Sequence, residues 1–408
     1  MMLIPRLAWR NLWRNRRRSL ITISSVFFAV ILAIFFYSIE KGTYEGMIDN
    51  MVRYSTGYIQ IQDVLFEEEP SMDHSMLFDG RIRGILDKYS DDISLYAPRI
   101  QHFALAATDR TTRGVSVMGV DPEKESALND ISSRLTGGRF VSAGGNDIVL
   151  AEGLAGILNV SIGDSIVLLG QGFQGATAAG IYRIGGIVGL NIPEMNNGTI
   201  YMSLEAAQWF YAADNRLTSL IIMPGDPDKT DRLAESIRSE IDKEWYRVLT
   251  WEHMLQDLIA MMQFDMAGTF VMIGILYMII AFGLLGTTIT MLLERKKEFA
   301  VLMALGMKRR LLAMVCFAES VFISLIGAAA GIAAAIPVIA YFYHNPIQLS
   351  GGLAETMLDY GFEPILPLSA DPIVFISQAR IVVVLALFAG LFPVYSIFHL
   401  NVVSEKQK

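Results

Sequence analysis

Long apolar stretches dominate the hydrophobic pattern of this chain. Three of them reach the length of about 20 residues that a membrane-spanning helix needs, and a fourth is only slightly less apolar. The predicted spanning helices cover residues 19–38, 267–293, 311–343 and 381–400. Over 408 residues, 53% are hydrophobic and only 18% are charged, which is too apolar for soluble domains alone. The pattern therefore predicts an α-helical membrane protein with four transmembrane helices.

Basic residues mark one side of these four helices. Arginines and lysines collect in residues 1–18, in the loop 294–310 and in the tail 401–408. Because cytoplasmic loops carry the excess of Lys and Arg, both termini and this loop are predicted to be cytoplasmic. Residues 39–266 and 344–380 are then extracytoplasmic, and 39–266 holds 33 acidic and 18 basic residues, a net charge of −15. That acidity argues against a nucleic-acid partner.

The first 18 residues have an amphipathic pattern. Apolar residues recur at helical spacing, arginines recur on another face, and Trp9 and Trp13 stand four residues apart. This pattern is typical of a helix that lies in the headgroup layer and contacts membrane lipids. The apolar stretch that follows has no A-x-A cleavage pattern, so we interpret it as an uncleaved anchor.

The region 39–266 mixes strand and helix patterns. Polar and apolar residues alternate over 57–64, as in a half-buried strand. Further strands are predicted at 114–120, 147–151, 165–169, 181–189, 198–202 and 219–223, and helices at 152–159, 204–213 and 229–244. Interleaving of this kind predicts a large α+β extracytoplasmic domain inserted between spans one and two.

Apolar residues keep helical spacing just after the first span and just before the second, through sequence too polar for lipid. Both spans are therefore predicted to continue outside the membrane as stalk helices that carry the outer domain. Their methionine-rich stripes either pack together or line an adaptable cavity for a lipophilic cargo. The candidate cavity residues are Met47, Met51, Met254, Leu258 and Met262.

Catalytic and metal-binding motifs find no support in the sequence. The five histidines do not form an H-x-x-x-H or H-E-x-x-H pair, and the chain contains no Gly-Lys dipeptide, so a Walker A lysine is absent. The serine at 116 is out of register for G-x-S-x-G. We therefore predict that the chain is not an enzyme and binds neither a cofactor nor a metal itself.

A glycine-rich segment covers residues 170–180. Glycines usually serve turns, so the simplest interpretation is a flexible hairpin loop. The alternative is a loop that docks a partner with Phe173 at its tip.

The loop 294–310 is predicted to form a short charged helix that ends at Gly306. Its apolar residues are expected on one side of the helix, and they are Phe299, Leu302, Met303 and Leu305.

The third span contains two features that are unusual in lipid. Glu319 is the one carboxylate well inside a span, and a buried charge there is expensive unless it is paired. We expect it to make a structural hydrogen bond between helices. Gly327 and Gly331 form a G-x-x-x-G motif, which allows close helix packing within the bundle or a dimer.

The loop sequence resembles the E-R-x-x-E-[IF]-x-x-L-x-A-L-G signature of FtsX-type permeases, a group that includes MacB and the lipoprotein-releasing LolC/LolE permeases. The segments around Ala8–Arg18, Asp147–Glu152 and Val160–Asp164 also resemble patterns of this family. Two positions depart from it, since Met303 replaces the usual arginine and Asn401 replaces a frequent proline.

This resemblance implies the FtsX/MacB fold, with a MacB-like periplasmic core domain and a cytoplasmic coupling helix that contacts an ATPase. The implied coupling residues are Glu294, Arg295, Glu298, Leu302, Leu305 and Gly306. ATP would be used by a separate LolD-like or MacB-like ATPase subunit, next to a second permease subunit in a homodimer or heterodimer. The location implied is the cell inner membrane.

Three functions remain open under the resemblance. The first is release of lipoproteins by mechanotransmission, and the second is MacB-like export of peptides or amphiphiles with an adaptor protein. The third is FtsX-like regulation of a cell-wall hydrolase. A periplasmic chaperone or an adaptor that docks on the outer domain stays open as a partner, although the segment 170–180 lacks prolines and looks short against the hook by which a Lol subunit binds its chaperone.

Overall fold

The computed structural model describes residues 3–14, 16–190, 192–352, 354 and 364–399. The chain divides into two compact units. The first comprises Met1–Gly46, Ala260–Gln348 and Leu366–Lys408, and the second comprises Met47–Ile259 and Leu349–Ile365. The two units are described separately below.

The first unit is built from helices. An amphipathic helix and a short helix accompany four helices that are long and apolar enough to cross a membrane. In chain order they are the amphipathic helix Leu3–Arg14, the first long helix Arg16–Met51, the second long helix Gln256–Glu294, the short helix Lys296–Ala304, the third long helix Arg309–His344 and the fourth long helix Pro372–Phe398. Each long helix is longer than the apolar stretch that predicted it. A short strand occurs at Ile347–Gln348, and another, Ile365–Leu366, begins in the second unit and ends in the first.

The second unit contains a large mixed sheet. The strands of this unit are β1 Ile59–Asp63, β2 Met76–Leu77, β3 Ile93–Ala107, β4 Thr112–Val120, β5 Leu135–Gly138, β6 Ile148–Ala151, β7 Ser165–Gln171, β8 Thr177–Val188, β9 Thr199–Ser203, β10 Arg216–Leu217, β11 Ser219–Pro224 and β12 Tyr246–Thr250. β2 and β10 pair with each other in a separate two-stranded sheet. The sheet order is β12-β1-β11-β3-β4-β9-β6-β8-β5, and β7 pairs with β3 and β8. Only β4/β9 and β6/β8 are parallel pairs among these. The mixed order agrees with the predicted α+β class.

Helices cover this sheet between the strands. Their bounds are Gly80–Lys88, Pro122–Asn129, Glu152–Leu158, Pro193–Asn196, Leu204–Phe210, Thr230–Glu240 and Trp251–Met254. Side-chain caps start several of them, as at Asp79 and Asp121, whose carboxylates each accept two backbone N–H groups. Two apolar cores result, one beneath β4, β6, β8 and β9 and the other between β1, β11 and the helices at 80–88 and 230–240.

The longest strand, β3, has no counterpart in the sequence prediction. Its residues 97–100 are all buried instead of alternating, and it contains Pro98. Alternation is the signal by which a strand is recognised, and a proline weakens it further. β3 nevertheless pairs with β4 over nine residues, from Arg99 opposite Val120 to Ala107 opposite Thr112.

The predicted hairpin over 170–180 is confirmed, but its loop is shorter than expected. β7 runs to Gln171 and β8 begins at Thr177, and the two strands pair antiparallel, so only residues 172–176 connect them. The glycines permit close packing: a Cβ on Gly172 would lie 2.3 Å from the Tyr211 carbonyl oxygen.

The predicted stalk helices are confirmed only in part. The first long helix continues through Met51 and is followed by a π-helical turn, Val52–Thr56, which ends at Gly57 with φ 65°. The helical spacing before the second span is interrupted, because Leu255 has φ −104° and ψ 20° and separates two helices. The helical spacing predicted from Trp251 onwards therefore covers two helices, Trp251–Met254 and Gln256–Glu294.

Candidate functional site

The candidate site is the short helix Lys296–Ala304, which follows the second long helix after a break at Arg295 (φ −96°, ψ 5°). Gly306 has φ +97°, a conformation that glycine adopts without strain. The Gly306 N–H donates to the Met303 carbonyl at 3.1 Å, and the Met307 N–H donates to the Leu302 carbonyl at 3.0 Å. These two bonds form a Schellman motif. The predicted helix end at Gly306 is therefore confirmed.

One face of the short helix is buried. Phe299 is only 1% exposed, and Met303 packs beside it, one turn later. They contact an apolar cluster of Leu292, Leu312, Ala313, Cys316 and Ile397. This contact fixes the helix against the ends of the second, third and fourth long helices. Met303, which departs from the family signature, contributes to this packing.

The other face is apolar but exposed. Leu305 is 80% exposed, Val301 58% and Leu302 37%. The prediction that Leu305 lies on the same side as Phe299 was wrong, because the chain at Leu305 has left the helix. Leu302 lies 60° from Phe299, at the edge of the buried face, and is 37% exposed. We call Val301, Leu302 and Leu305 the outer apolar face.

Ion pairs connect this region to the N-terminal segment. Arg18 makes two parallel hydrogen bonds to the Glu294 carboxylate, at 2.8 and 2.7 Å. Arg14 pairs with Glu298 at 2.7 Å, and the hydrogen bond from Arg14 lowers the pKa of the Glu298 carboxyl. Glu298 also accepts from Arg295 at 3.3 Å. Both glutamates of the signature are thus engaged within the chain, although each side chain remains about half exposed.

Glu319 has a charged partner. Its carboxylate accepts from Arg295 at 3.3 Å, and both side chains are largely buried, at 4% and 10% exposure. A buried carboxylate without a partner would be strongly destabilising. The structure thus pairs two residues that the sequence had identified separately, and it links the break at Arg295 to the third long helix.

The two glycines of the third long helix pack against the first long helix of the same chain. A Cβ on Gly327 would lie 2.8 Å from Val26 Cβ, and a Cβ on Gly331 would lie 2.9 Å from the Phe27 carbonyl oxygen. This is the close approach that G-x-x-x-G permits. Of the two alternatives left open by the sequence, the structure shows the contact within the bundle.

Polar pairs that the sequence analysis missed also hold the helix bundle together. Tyr277 donates to Gln378 at 2.8 Å in a buried contact. Ser38 donates to the Ser369 carbonyl at 2.6 Å, and Lys41 pairs with Asp371, the N-cap of the fourth long helix. Gln378 could have been noticed as a lone amide in an apolar helix, but its partner lies about a hundred residues away.

The remaining predicted residues are not gathered at this helix. Phe173 is half-buried, packs against the sheet core and lies beneath the Arg216 guanidinium, 3.9 Å from ring centre to carbon. It is therefore not an exposed tip. Met262 is buried, and Met47, Met51, Met254 and Leu258 are half-buried. Within the described residues no group of three or more His, Cys, Asp or Glu side chains could hold a metal ion.

Two models of known protein families match this chain. The family model described as FtsX-like permease C-terminal matches residues 270–402. The model described as MacB-like periplasmic core domain matches residues 19–240, more than half of the chain.

Individual relatives are distant. The lipoprotein-releasing system transmembrane protein LolC of Neisseria meningitidis serogroup B is 22% identical over 245 residues, which cover 58% of this chain and 59% of LolC. LolC of Xylella fastidiosa is 21% identical over 244 residues, 58% of each chain. The chain thus spans less than two thirds of the length of these relatives.

Among solved structures, the periplasmic region of MacB from Actinobacillus actinomycetemcomitans is 12% identical with a TM-score of 0.36, covering 52% of this chain and 97% of that one. The extracellular domain of the transporter YknZ from Gram-positive bacteria is 11% identical with a TM-score of 0.34, covering 47% and 99%. Both TM-scores are low, so the assignment rests on the family models. On those two matches, the chain belongs to the FtsX/MacB-type family of ABC transporter permeases, which makes it a protein of the inner membrane.

Proposed function

We propose that this chain is the permease subunit of a lipoprotein-releasing ABC transporter and that its outer apolar face is the docking surface for a separate ATPase. The observation that carries the proposal is the exposure of Leu305, Leu302 and Val301 on a helix that is otherwise firmly anchored. An exposed apolar cluster beside charged residues is typical of a protein interface. Its position in the family signature supports the ATPase as the partner.

Anchoring is what a force-transmitting element needs. The short helix is held by Phe299 on its buried face and by the pairs Arg14–Glu298 and Arg295–Glu319. A push on the outer apolar face would therefore move the long helices together with it. In the proposed mechanism, ATP bound and hydrolysed by the partner closes two such subunits, and the motion reaches the outer domain by mechanotransmission.

The proposed topology places the domain 39–266 between spans one and two, in the periplasm, with both termini in the cytoplasm. The distribution of Lys and Arg supports this orientation. Cargo would be moved by the outer domain and would not pass between the spans. The near absence of ionisable residues inside the predicted spans supports this view, because a polar conduit needs such groups.

The LolC relatives support a lipoprotein as cargo, extracted from the outer leaflet with a second permease subunit. The match to the MacB-like core domain favours a second candidate, export of an amphiphile through an adaptor protein. Release of a labelled lipoprotein from spheroplasts that express this chain with its ATPase would support the first candidate. Transport that requires an adaptor and leaves lipoproteins in place would support the second.

The docking surface is tested with two variants at one position. Leu305→Glu places a charge at the centre of the outer apolar face, whereas Leu305→Met keeps it apolar. Since the side chain is 80% exposed, neither should disturb folding. We expect Leu305→Glu to reduce copurification of the ATPase by at least tenfold and to abolish cargo-stimulated ATP hydrolysis, while Leu305→Met behaves like the parent. Normal recruitment by Leu305→Glu would refute the proposed docking surface.

A further inference from the structure

A polar cavity of about 780 Å³ lies between the N-terminal end of the first long helix and the C-terminal end of the second. Its lining includes the four arginines Arg14, Arg16, Arg17 and Arg18 and one carboxylate, Glu294. The cavity is strongly basic, because the lining carries four positive charges and one negative charge. It is distinct from the outer apolar face, and of its lining arginines only Arg14 takes part in the proposed mechanism.

Two of these arginines lack a partner for their charge. Arg18 is occupied by Glu294, and Arg14 is occupied by Glu298. Arg16 and Arg17 have no carboxylate partner in the part of the chain that the structure describes. They lie at the start of the first long helix, whose first turn contains no acidic residue. The unpaired charges of Arg16 and Arg17 make the cavity complementary to an anion.

An apolar cavity of about 400 Å³ adjoins this basic one. The two share the lining residues Ile21, Thr22, Gly283 and Thr287, and the second continues along the same two helices between apolar side chains such as Leu32 and Ile279. A Cβ on Gly283 would have nothing within 4 Å, so this glycine leaves the space open. The two cavities therefore form one groove with a basic end and an apolar body.

We infer that this groove binds one anionic phospholipid of the membrane, with its phosphate at Arg16 and Arg17 and an acyl chain between the first and second long helices. A soluble anion would match the basic end but not the apolar body, and a neutral lipid would match only the body. A lipid that is both anionic and acylated fits both ends. In the proposed topology this site lies in the cytoplasmic leaflet, on the side opposite the cargo.

The inference needs only the helix bundle in a membrane, so its test uses the purified full chain alone, without ATPase or cargo. Dioleoylphosphatidylglycerol and dioleoylphosphatidylcholine are added to the protein in a neutral maltoside detergent. Bound lipid is counted by native mass spectrometry, and Tm is followed as a function of lipid concentration. We expect phosphatidylglycerol to be retained and to raise Tm, and phosphatidylcholine to do neither.

Three variants separate a discrete site from general attraction to charge. Arg16→Gln/Arg17→Gln should weaken phosphatidylglycerol binding by roughly tenfold or more. Gly283→Leu fills the apolar body without removing a charge and should weaken binding to a similar extent. The matched control, Arg6→Gln/Arg10→Gln, removes the same charge from the amphipathic helix outside the cavity lining and should bind like the parent.

Each other outcome overturns the inference. If the control loses as much affinity as Arg16→Gln/Arg17→Gln, the attraction is diffuse. If Gly283→Leu keeps full affinity, no acyl chain occupies the groove, and if inorganic phosphate displaces the lipid, the site recognises a soluble anion. If the purified protein is mainly a dimer without bound lipid, and cross-linking joins the groove of one copy to the other copy, then a second copy of the chain occupies the groove. Failure of the Leu305→Glu test would leave all these results unaffected.

Discussion

A buried ion pair in the outer domain offers the sharpest test of how this fold is held together. Arg99 on β3 and Glu125 on the helix Pro122–Asn129 are each 1% exposed and joined by two hydrogen bonds, at 2.9 and 2.6 Å. Arg99 also donates to the Ser55 carbonyl at 2.8 Å, within the π-helical turn Val52–Thr56. One guanidinium thus connects the sheet, a covering helix and this turn.

Arg99→Met removes the guanidinium and keeps much of the side-chain volume. Glu125 would then be a buried carboxylate whose remaining described partner is Asn129, at 2.7 Å, and the Ser55 carbonyl would lose a donor. Breaking a buried pair by removing one partner costs about 3–5 kcal/mol. The double variant Arg99→Met/Glu125→Leu leaves no unpaired charge, so we expect its cost to be well below the sum of the two single costs.

The measurement is hydrogen exchange followed by mass spectrometry on the full chain in detergent, read at peptides from β3 and β4. A loss of 3–5 kcal/mol would accelerate exchange of the protected amides by about 140- to 4,000-fold. Arg113→Met, on the exposed end of β4, is the control and should change the free energy of opening by no more than about 0.5 kcal/mol.

The reasoning fails if Arg99→Met costs no more than the control. It also fails if the double variant costs the full sum of both single variants, because the two residues would then act independently. Either result would mean that the Arg99–Glu125 pair does not hold the helix Pro122–Asn129 to the sheet.

Three further predictions concern the helix bundle and its orientation. Glu298→Arg alone should reduce cargo-stimulated ATP hydrolysis. If Glu298 acts through Arg14, the charge swap Arg14→Glu/Glu298→Arg should restore that hydrolysis. If the swap does not restore it, Glu298 contacts the ATPase directly. Gly331→Leu should destabilise the purified chain by about 1–3 kcal/mol in thermal unfolding, since the added Cβ would lie 2.9 Å from the Phe27 carbonyl oxygen. The control Gly274→Leu, whose Cβ would have nothing within 4 Å, should not destabilise it. Equal Tm values for both variants would contradict the packing. A reporter active only outside the cytoplasm should be active after Gly180 and silent after Lys297, and activity at Lys297 would overturn the orientation.

The sequence predicted those parts of the fold that local pattern determines. Four apolar stretches identified the four long helices, alternation located β1, and further strand-like segments located β4, β6, β7, β8, β9 and β11. β3 was missed because Ala97–Ile100 is buried on both faces by partners far away in the sequence. The break at Leu255 was missed because the apolar spacing of a helix continues across it.

The residues of the candidate site could be predicted from the sequence, but the contacts between them could not. Gly306 as the helix end followed from local chemistry and was confirmed. The partners of Glu298 and Glu319 were not predictable, since Arg14 lies 284 positions from Glu298 and nothing local selects Arg295 for Glu319. The distribution of apolar residues between the two faces of the short helix also depended on where the helix ends.

The placement of the charges explains why the short helix is anchored by ion pairs as well as by apolar contacts. Phe299 in its apolar cluster resists separation, but apolar contact is not directional and would permit the helix to rotate. The Arg295–Glu319 hydrogen bond is directional and lies where water is excluded, so rotation would expose an unpaired charge to an apolar environment. Arg14–Glu298, at the exposed side, contributes less, since both side chains remain about half exposed. The buried pair therefore fixes the angle at which the outer apolar face is presented, and the proposed docking of an ATPase depends on that angle more than on the strength of any exposed ion pair.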